Sequence, residues 1–391
     1  MRAVLFCNEM LGLGHLRLSL ALAEALVAQD DRATALVVTA SPAFGGLRLP
    51  PRVDVLKLPT APVGPDSAWS QTALTPTAGL ALDAATLGAL RADISLAAVE
   101  RVAPDVVVVD YRPLGRGGDL VPALRRVRAR GDCTVALGLW DADDAPERLR
   151  HEWTPELRRA IAELYDLALV YGPSAPDDVR VELLRASGVA VHNTRRVGAA
   201  PAERGAADLG HGYLLATTGG GADGFPLLDA LLAAIRIRPL GVRTIAVTGP
   251  LMAAGEVARL RAAADGIDVS VHEFRADMDA VLAGARAVVA MAGYCTVAEV
   301  LASGRPALLV PRAFPREEQL NRARRLALNG RVSMLAPGAL DAASMRRALD
   351  GLLAREPVPA EAPLGAQDAA GILAGYAPRA RRGSGLSPRA R

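Results

Sequence analysis

The sequence predicts two doubly wound α/β domains, each a parallel sheet covered by helices on both faces. Three observations carry this. Short β-branched apolar runs alternate with amphipathic helical segments along nearly all of the 391 residues, which is the pattern of βαβ units. There are thirteen such runs, too many for one doubly wound sheet of common size. The pattern breaks over Arg195–Gly212 and restarts at Tyr213, as at a domain boundary.

Taken in order, the first half offers strands at Ala3–Cys7, Ala35–Thr39, Val53–Leu58, Val106–Asp110, Val135–Leu139, Leu167–Tyr171 and Val189–His192. The second half offers Tyr213–Thr217, Thr244–Thr248, Val269–Phe274, Ala287–Met291, Ala307–Val310 and Val332–Leu335. The expected domains are residues 1–197, a linker at 198–212, a second domain at 213–365, and a terminal helix with a disordered tail at 366–391. The segment Thr60–Gly79 carries several prolines and Trp69 with little pattern; loops of that length are usually functional or mobile.

Composition narrows the class. Half of the residues (51%) are hydrophobic and only 4% aromatic, which suits packed helices and buried strands. A net charge of +3, with Lys57 the only lysine, gives no basic footprint for nucleic acid. Cys7, Cys133 and Cys295 are too few and scattered for a disulfide framework or a zinc site. A reduced cytosol is the expected setting. No signal-peptide pattern opens the chain, and no run reaches the length of about 18 apolar residues that a membrane span needs. Peripheral membrane contact stays open.

Ligands of open parallel sheets sit beyond the C-terminal strand ends, so those loops carry the chemistry. Thr217–Gly224 (Thr-Thr-Gly-Gly-Gly-Ala-Asp-Gly) joins a strand to a helix. Its glycines either cradle an anion at a helix N-terminus or simply make a tight turn. It is neither a Walker A loop nor a clean dinucleotide fingerprint. Ala292-Gly293-Tyr294-Cys295-Thr296 makes a second such junction. Thr296 and Glu299 have capping-box spacing, yet a carboxylate on a first helical turn can also accept bonds from two ribose hydroxyls. Pro311–Gln319 is dense in hydrogen-bonding groups suited to sugar hydroxyls, or is a solvated helix start.

In the first domain, Gly12-Leu13-Gly14-His15 precedes a helix of about Leu16–Gln29. His15 at a cleft mouth is a candidate general base, against the bland reading of a structural histidine. Asp110, Asp141, Asp143 and Asp144 follow other strands and can orient His15, act as the base, or bind substrate. Arg112 and Arg116 can meet an anionic acceptor, or be plain surface arginines.

At these residues the chain resembles the glycosyltransferase family that includes the MurG-type peptidoglycan UDP-N-acetylglucosamine transferases (family 28, C-terminal domain). The likeness is strongest over Val269–Ala323: His-Glu-Phe-Arg-Ala-Asp-Met, Ala-Gly-Tyr-Cys-Thr-Val-Ala-Glu, Gly-Arg-Pro-Ala-Leu-Leu-Val-Pro and Glu-Glu-Gln, in that order. Thr218–Gly224 extends it upstream and Gly12–His15 continues it weakly.

The resemblance implies a GT-B fold, with the donor in the second domain and the acceptor mainly in the first. Phe274 and Arg275 would frame the base, and Glu299 would hold the ribose hydroxyls. Gly221 and Thr296 would lie near the diphosphate, and Thr218, Gly219, Gly220, Gly293 and Tyr294 would complete the donor site. Glu318 and Gln319 would hold the sugar. His15 would be catalytic, with Gly14, Asp110, Arg112 and Asp141 on the acceptor side. Such enzymes invert the anomeric centre and need neither metal nor cofactor, the nucleotide sugar being a co-substrate.

Two loops depart from the family. The first has only Gly12 and Gly14, and residues 110–118 read Asp-Tyr-Arg-Pro-Leu-Gly-Arg-Gly-Gly. That places a soluble small-molecule acceptor, in secondary metabolism for example, on at least an equal footing with a polyprenyl diphosphate. The expected activity is therefore hexosyl transfer from a nucleotide diphosphate, UDP-linked by resemblance. The alternatives are a nucleotide-sugar hydrolase or epimerase, or a non-catalytic nucleotide-sugar-binding protein.

Overall fold

The structure, a computed structural model, describes residues 1–7, 13–41, 47, 49–60, 80–174, 178–198, 202 and 205–376. Gly12, Trp69 with nearly all of 60–79, part of the 198–212 segment, and the tail after Tyr376 lie outside the described residues.

The first sheet comprises β1 (Arg2–Cys7), β2 (Thr34–Thr39), β3 (Val53–Lys57), β4 (Val106–Asp110), β5 (Thr134–Trp140), β6 (Leu167–Tyr171) and β7 (Ala190–Thr194). The second comprises β8 (Tyr213–Thr217), β9 (Thr244–Val247), β10 (Val269–His272), β11 (Ala285–Ala290), β12 (Ala307–Leu309) and β13 (Ser333–Met334). Their orders are 3-2-1-4-5-6-7 and 10-9-8-11-12-13, and every neighbouring pair is parallel. Central strands such as β4 and β8 are buried at every residue, because helices cover both faces.

The helices of the first domain are α1 (Gly14–Val27), α2 (Ala84–Val102), α3 (Val121–Arg130), α4 (Pro146–Glu152), α5 (Pro155–Leu164) and α6 (Val179–Ala186). Those of the second are α7 (Phe225–Ile237), α8 (Ala254–Ala264), α9 (Met278–Gly284), α10 (Tyr294–Ser303), α11 (Glu318–Leu328) and α12 (Ala342–Leu353). A last helix, α13 (Gly365–Tyr376), returns to the first domain. Ala366, Ala369, Ala370 and Leu373 join the core cluster that holds Leu16, Leu18 and Leu22 of α1. Arg195 pairs with Asp368 at 2.6 Å, and Thr134 Oγ1 donates to the Tyr376 carbonyl.

Each sheet changes direction once, between β1 and β4 and between β8 and β11. Ligand crevices of doubly wound sheets open at such points. In register, Cys7 lies level with Asp110, and Asp110 with Gly138. Thr217 lies level with Ala290, and Ala290 with Leu309. The loops after β1, β4 and β5 therefore share one rim, and those after β8, β11 and β12 share the other.

Candidate active site

The first-domain rim is built around His15, in the first turn of α1. Its Nδ1 is hydrogen-bonded to Asp110 Oδ2 at the end of β4. With the carboxylate ionised, Nδ1–H donates to it, which leaves Nε2 as the basic nitrogen. The ring stacks on Trp140 with centroids 3.9 Å apart and meets Tyr111 edge-on at 5.6 Å. Asp110 is buried, and its Oδ1 has no hydrogen-bond partner among the described residues.

Tyr111 holds a left-handed backbone, φ +63°, a conformation that costs a non-glycine residue about 1–3 kcal/mol and clusters at functional sites. Two bonds enforce it. Its N–H donates to the Gly138 carbonyl at 2.9 Å, and its hydroxyl donates to Asp143 Oδ1 at 3.0 Å. Asp143 is held in turn by Arg180, fully buried, which also donates to Asp178 and the Trp140 carbonyl. Burial drives the Tyr111 phenol well above its usual range, so it stays a neutral donor.

The second-domain rim rests on glycines that no other residue can replace without strain. Gly219 and Gly221 have φ +69° and +96°. A Cβ on Gly221 would lie 2.2 Å from the Thr248 carbonyl, and one on Gly249 2.4 Å from the Gly219 carbonyl. Thr218 Oγ1 donates to the Thr248 carbonyl at 2.5 Å, tying the two turns together. Beyond them α7 starts behind Gly224 and α10 behind Gly293, neither with a side-chain cap. The first turn of α10 lines the cleft, so its N–H groups and dipole are available to an anion, whereas α7 has Pro226 in its first turn.

The capping-box reading of Thr296 and Glu299 is corrected here. Because α10 begins at Tyr294, Thr296 lies within the first turn and Glu299 in the second, out of reach of a reciprocal cap. The Glu299 carboxylate instead pairs with Arg17 of α1, across the domain gap. Burial pushes its carboxyl up, and Arg17 only partly opposes the rise.

Arg312 lies between Asp223, at 3.1 Å, and Glu318. Burial pushes the Glu318 carboxyl up against the pull of Arg312, and Glu318 Oε2 has no partner among the described residues. The Arg312 N–H points to Gln319 Oε1 at 3.5 Å. The Arg275 guanidinium is clamped by Asp208 and Asp277, which fixes its backbone beside the exposed ring of Phe274.

One cleft between the rims gathers most of the residues singled out from sequence. Gly14, His15 and Arg112 line it from one side. Thr218, Gly219, Gly220, Gly221, Phe274, Arg275, Gly293, Tyr294, Thr296, Glu299, Glu318 and Gln319 line it from the other. Asp110 stands behind His15, off the wall.

Asp141 is the clearest correction. It is fully buried and turned away from the cleft, accepting from Arg322 at 2.8 Å and Arg196 at 3.2 Å, with Arg325 at 3.3 Å. It ties α11 of the second domain to the first, since three cations offset the cost of burying it. Asp144 likewise clamps Arg316 and accepts from the Glu317 N–H.

Reasoning from sequence missed Arg17, Tyr111, Trp140 and Arg312. Trp140 and Tyr111 sit at strand ends already marked, so position was their available signal. Arg312 lies in the Pro311–Gln319 loop already marked, six residues from its partner Glu318, whereas Arg17 had no signal, as its partner comes from far along the chain. Among the described residues no group of His, Cys, Asp and Glu could hold a metal ion. No helix among them is long and apolar enough to cross a membrane.

With this geometry in hand, residues 219–370 match the model of the glycosyltransferase family 28 C-terminal domain. That match spans most of the second domain. A curated relative is the UDP-N-acetylglucosamine–N-acetylmuramyl-(pentapeptide) pyrophosphoryl-undecaprenol N-acetylglucosamine transferase of Mesorhizobium japonicum. It is 40% identical over 88 residues, 22% of this chain and 24% of the relative; the match thus spans about a quarter of that protein's length.

Among solved structures, the calicheamicin glycosyltransferase CalG4 is similar with a TM-score of 0.58 and 18% identity, covering 97% of this chain and 99% of that one. The UDP-GlcNAc 2-epimerase of Methanocaldococcus jannaschii is similar at 0.57 and 11%, covering 96% and 100%. At these identities the likeness establishes the fold, which is GT-B: two Rossmann-like domains across a cleft.

Proposed function

We propose that the chain is a glycosyltransferase that moves a sugar from a nucleotide diphosphate, UDP-linked, to a hydroxyl of a small-molecule acceptor, with inversion and without a metal. The observation that carries the reading is His15. It is oriented by Asp110 and faces, across one cleft, two glycine turns and the uncapped N-terminus of α10.

In this scheme the acceptor hydroxyl gives its proton to His15 Nε2 as its oxygen attacks the anomeric carbon. The bond from that carbon to the diphosphate oxygen breaks, and the electron pair leaves with the diphosphate. The N–H groups opening α10 and those of the Gly219–Gly221 turn meet the charge that develops there, in a site where donors fixed in advance act most strongly. Asp110 stabilises the imidazolium formed. Glu299 would take the ribose hydroxyls, and Glu318 Oε2 and Gln319 those of the sugar. Trp140 and Tyr111 give the acceptor side an aromatic wall, which suits a ring-bearing small molecule, such as one of secondary metabolism, in the cytoplasm.

Hydrolysis or epimerisation of the nucleotide sugar is the second reading, favoured by the fold shared with an epimerase. Incubating the protein with UDP-sugars, with and without an acceptor panel, and following products by mass spectrometry and anomeric NMR separates the two. Acceptor-dependent product of inverted configuration is expected. Sugar release or C2 exchange from donor alone, at a rate that no acceptor raises, contradicts transfer.

A further inference from the structure

Arg17 stands on α1 two residues after His15, and its guanidinium pairs with Glu299 Oε1 on α10. This ion pair joins the two domains at the carboxylate assigned to ribose. Glu299 is 8% exposed. Three groups face it from the elements around it: Arg17 from α1, Asp279 from α9, and Cys295 on its own helix. Burial raises the Glu299 carboxyl, the charge and hydrogen bond of Arg17 lower it, and Asp279 raises it further. Burial pushes the Cys295 thiol up to about 12, so near neutral pH it adds no charge.

A carboxylate offers about four lone-pair positions on two oxygens. Arg17 takes one of them and a cis-diol needs two, so the ion pair and a bound ribose can coexist. An ionised carboxylate is also a stronger acceptor than a neutral one.

We propose that Arg17 is a positioning residue for the donor: from the helix that carries His15, it holds the Glu299 side chain in place across the domain gap. Recognition of the ribose and placement of the base then depend on one helix. The proposal rests on the reading that Glu299 takes the ribose hydroxyls.

The test is isothermal titration with UDP at about pH 6, 7 and 8, for the wild type and for Arg17→Leu, Arg17→Gln, Arg17→Lys and Glu299→Gln, each first checked by a melting curve. The readout is the ratio of variant to wild-type Kd, in which the titration of the diphosphate itself cancels. Arg17→Leu and Arg17→Gln should each bind about tenfold more weakly at the lowest pH and recover as pH rises, because burial without Arg17 favours the neutral Glu299 carboxyl. Arg17→Lys should flatten that recovery.

Glu299→Gln should weaken binding equally at every pH. If it leaves binding unchanged, the ribose reading itself is lost. If Glu299→Gln weakens binding while the two neutral Arg17 variants bind as well as wild type, or better, at every pH, Arg17 is only a domain contact and the proposal is overturned. A uniform loss in both neutral variants that Arg17→Lys does not relieve overturns it too.

Discussion

Replacing Asp141 by Asn should unfold the chain far more readily than any surface change. Asp141 is fully buried, and its carboxylate is approached by Arg322 at 2.8 Å, Arg196 at 3.2 Å and Arg325 at 3.3 Å. Burial alone pushes its carboxyl up, but the three guanidinium charges outweigh this and hold it below the ordinary carboxylate range. The amide keeps the shape and removes the charge, leaving Arg322, itself fully buried, without its counter-ion. Breaking a buried pair from one side costs about 3–5 kcal/mol.

Urea unfolding, extrapolated linearly to water, measures the loss. Glu156→Gln, which removes an exposed carboxylate paired with Arg159, serves as the control and should not shift the transition measurably. Adding Arg322→Met to Asp141→Asn should recover part of the loss, because the uncompensated cation goes with it. The same group sets an acid limit. With its folded pKa depressed, Asp141 contributes its stability above the unfolded value of about 3.9, and that contribution fades as pH falls towards the folded value. An Asp141→Asn protein no more sensitive to urea than the control refutes the account of this node.

Other expectations are simpler. Gly221→Ala places a Cβ 2.2 Å from the Thr248 carbonyl at φ +96°; it should cost about 1–3 kcal/mol and weaken UDP binding in a titration, and an unchanged Kd contradicts the donor loop. Asp110→Asn should lower kcat by about 10²-fold or more with KM little changed, as steady-state kinetics would record. Cys133 and Cys295, whose thiols burial pushes up to about 12, should resist a thiol reagent at pH 8 in the native protein and react once it is denatured.

How far the sequence alone led is clearest element by element. The central strands were legible because a strand covered on both faces must be a short apolar run, and the shifts at their ends are a few residues, as with β11 at Ala285–Ala290. Thr218–Gly224 was legible because positive φ beside a carbonyl demands glycine. Glu299 was found for its spacing, though a helix start three residues earlier than a threonine cap requires sends its carboxylate to Arg17. Asp141 misled because an aspartate after a strand reads alike whether it faces a ligand or three arginines. Two of those arginines lie on α11, some 180 residues away, and periodicity says nothing about such pairs. The return of α13 to the first domain was hidden for the same reason: an Ala-rich helix does not announce which core it joins.

The central claim is that His15 removes the acceptor proton while the second domain holds the donor. Its most direct measurement compares His15→Ala with wild type on one enzyme preparation, reading transfer turnover beside the Kd for UDP. The account predicts turnover lost by at least about 10²-fold, with a Kd within about threefold of wild type. Turnover that survives the substitution contradicts it.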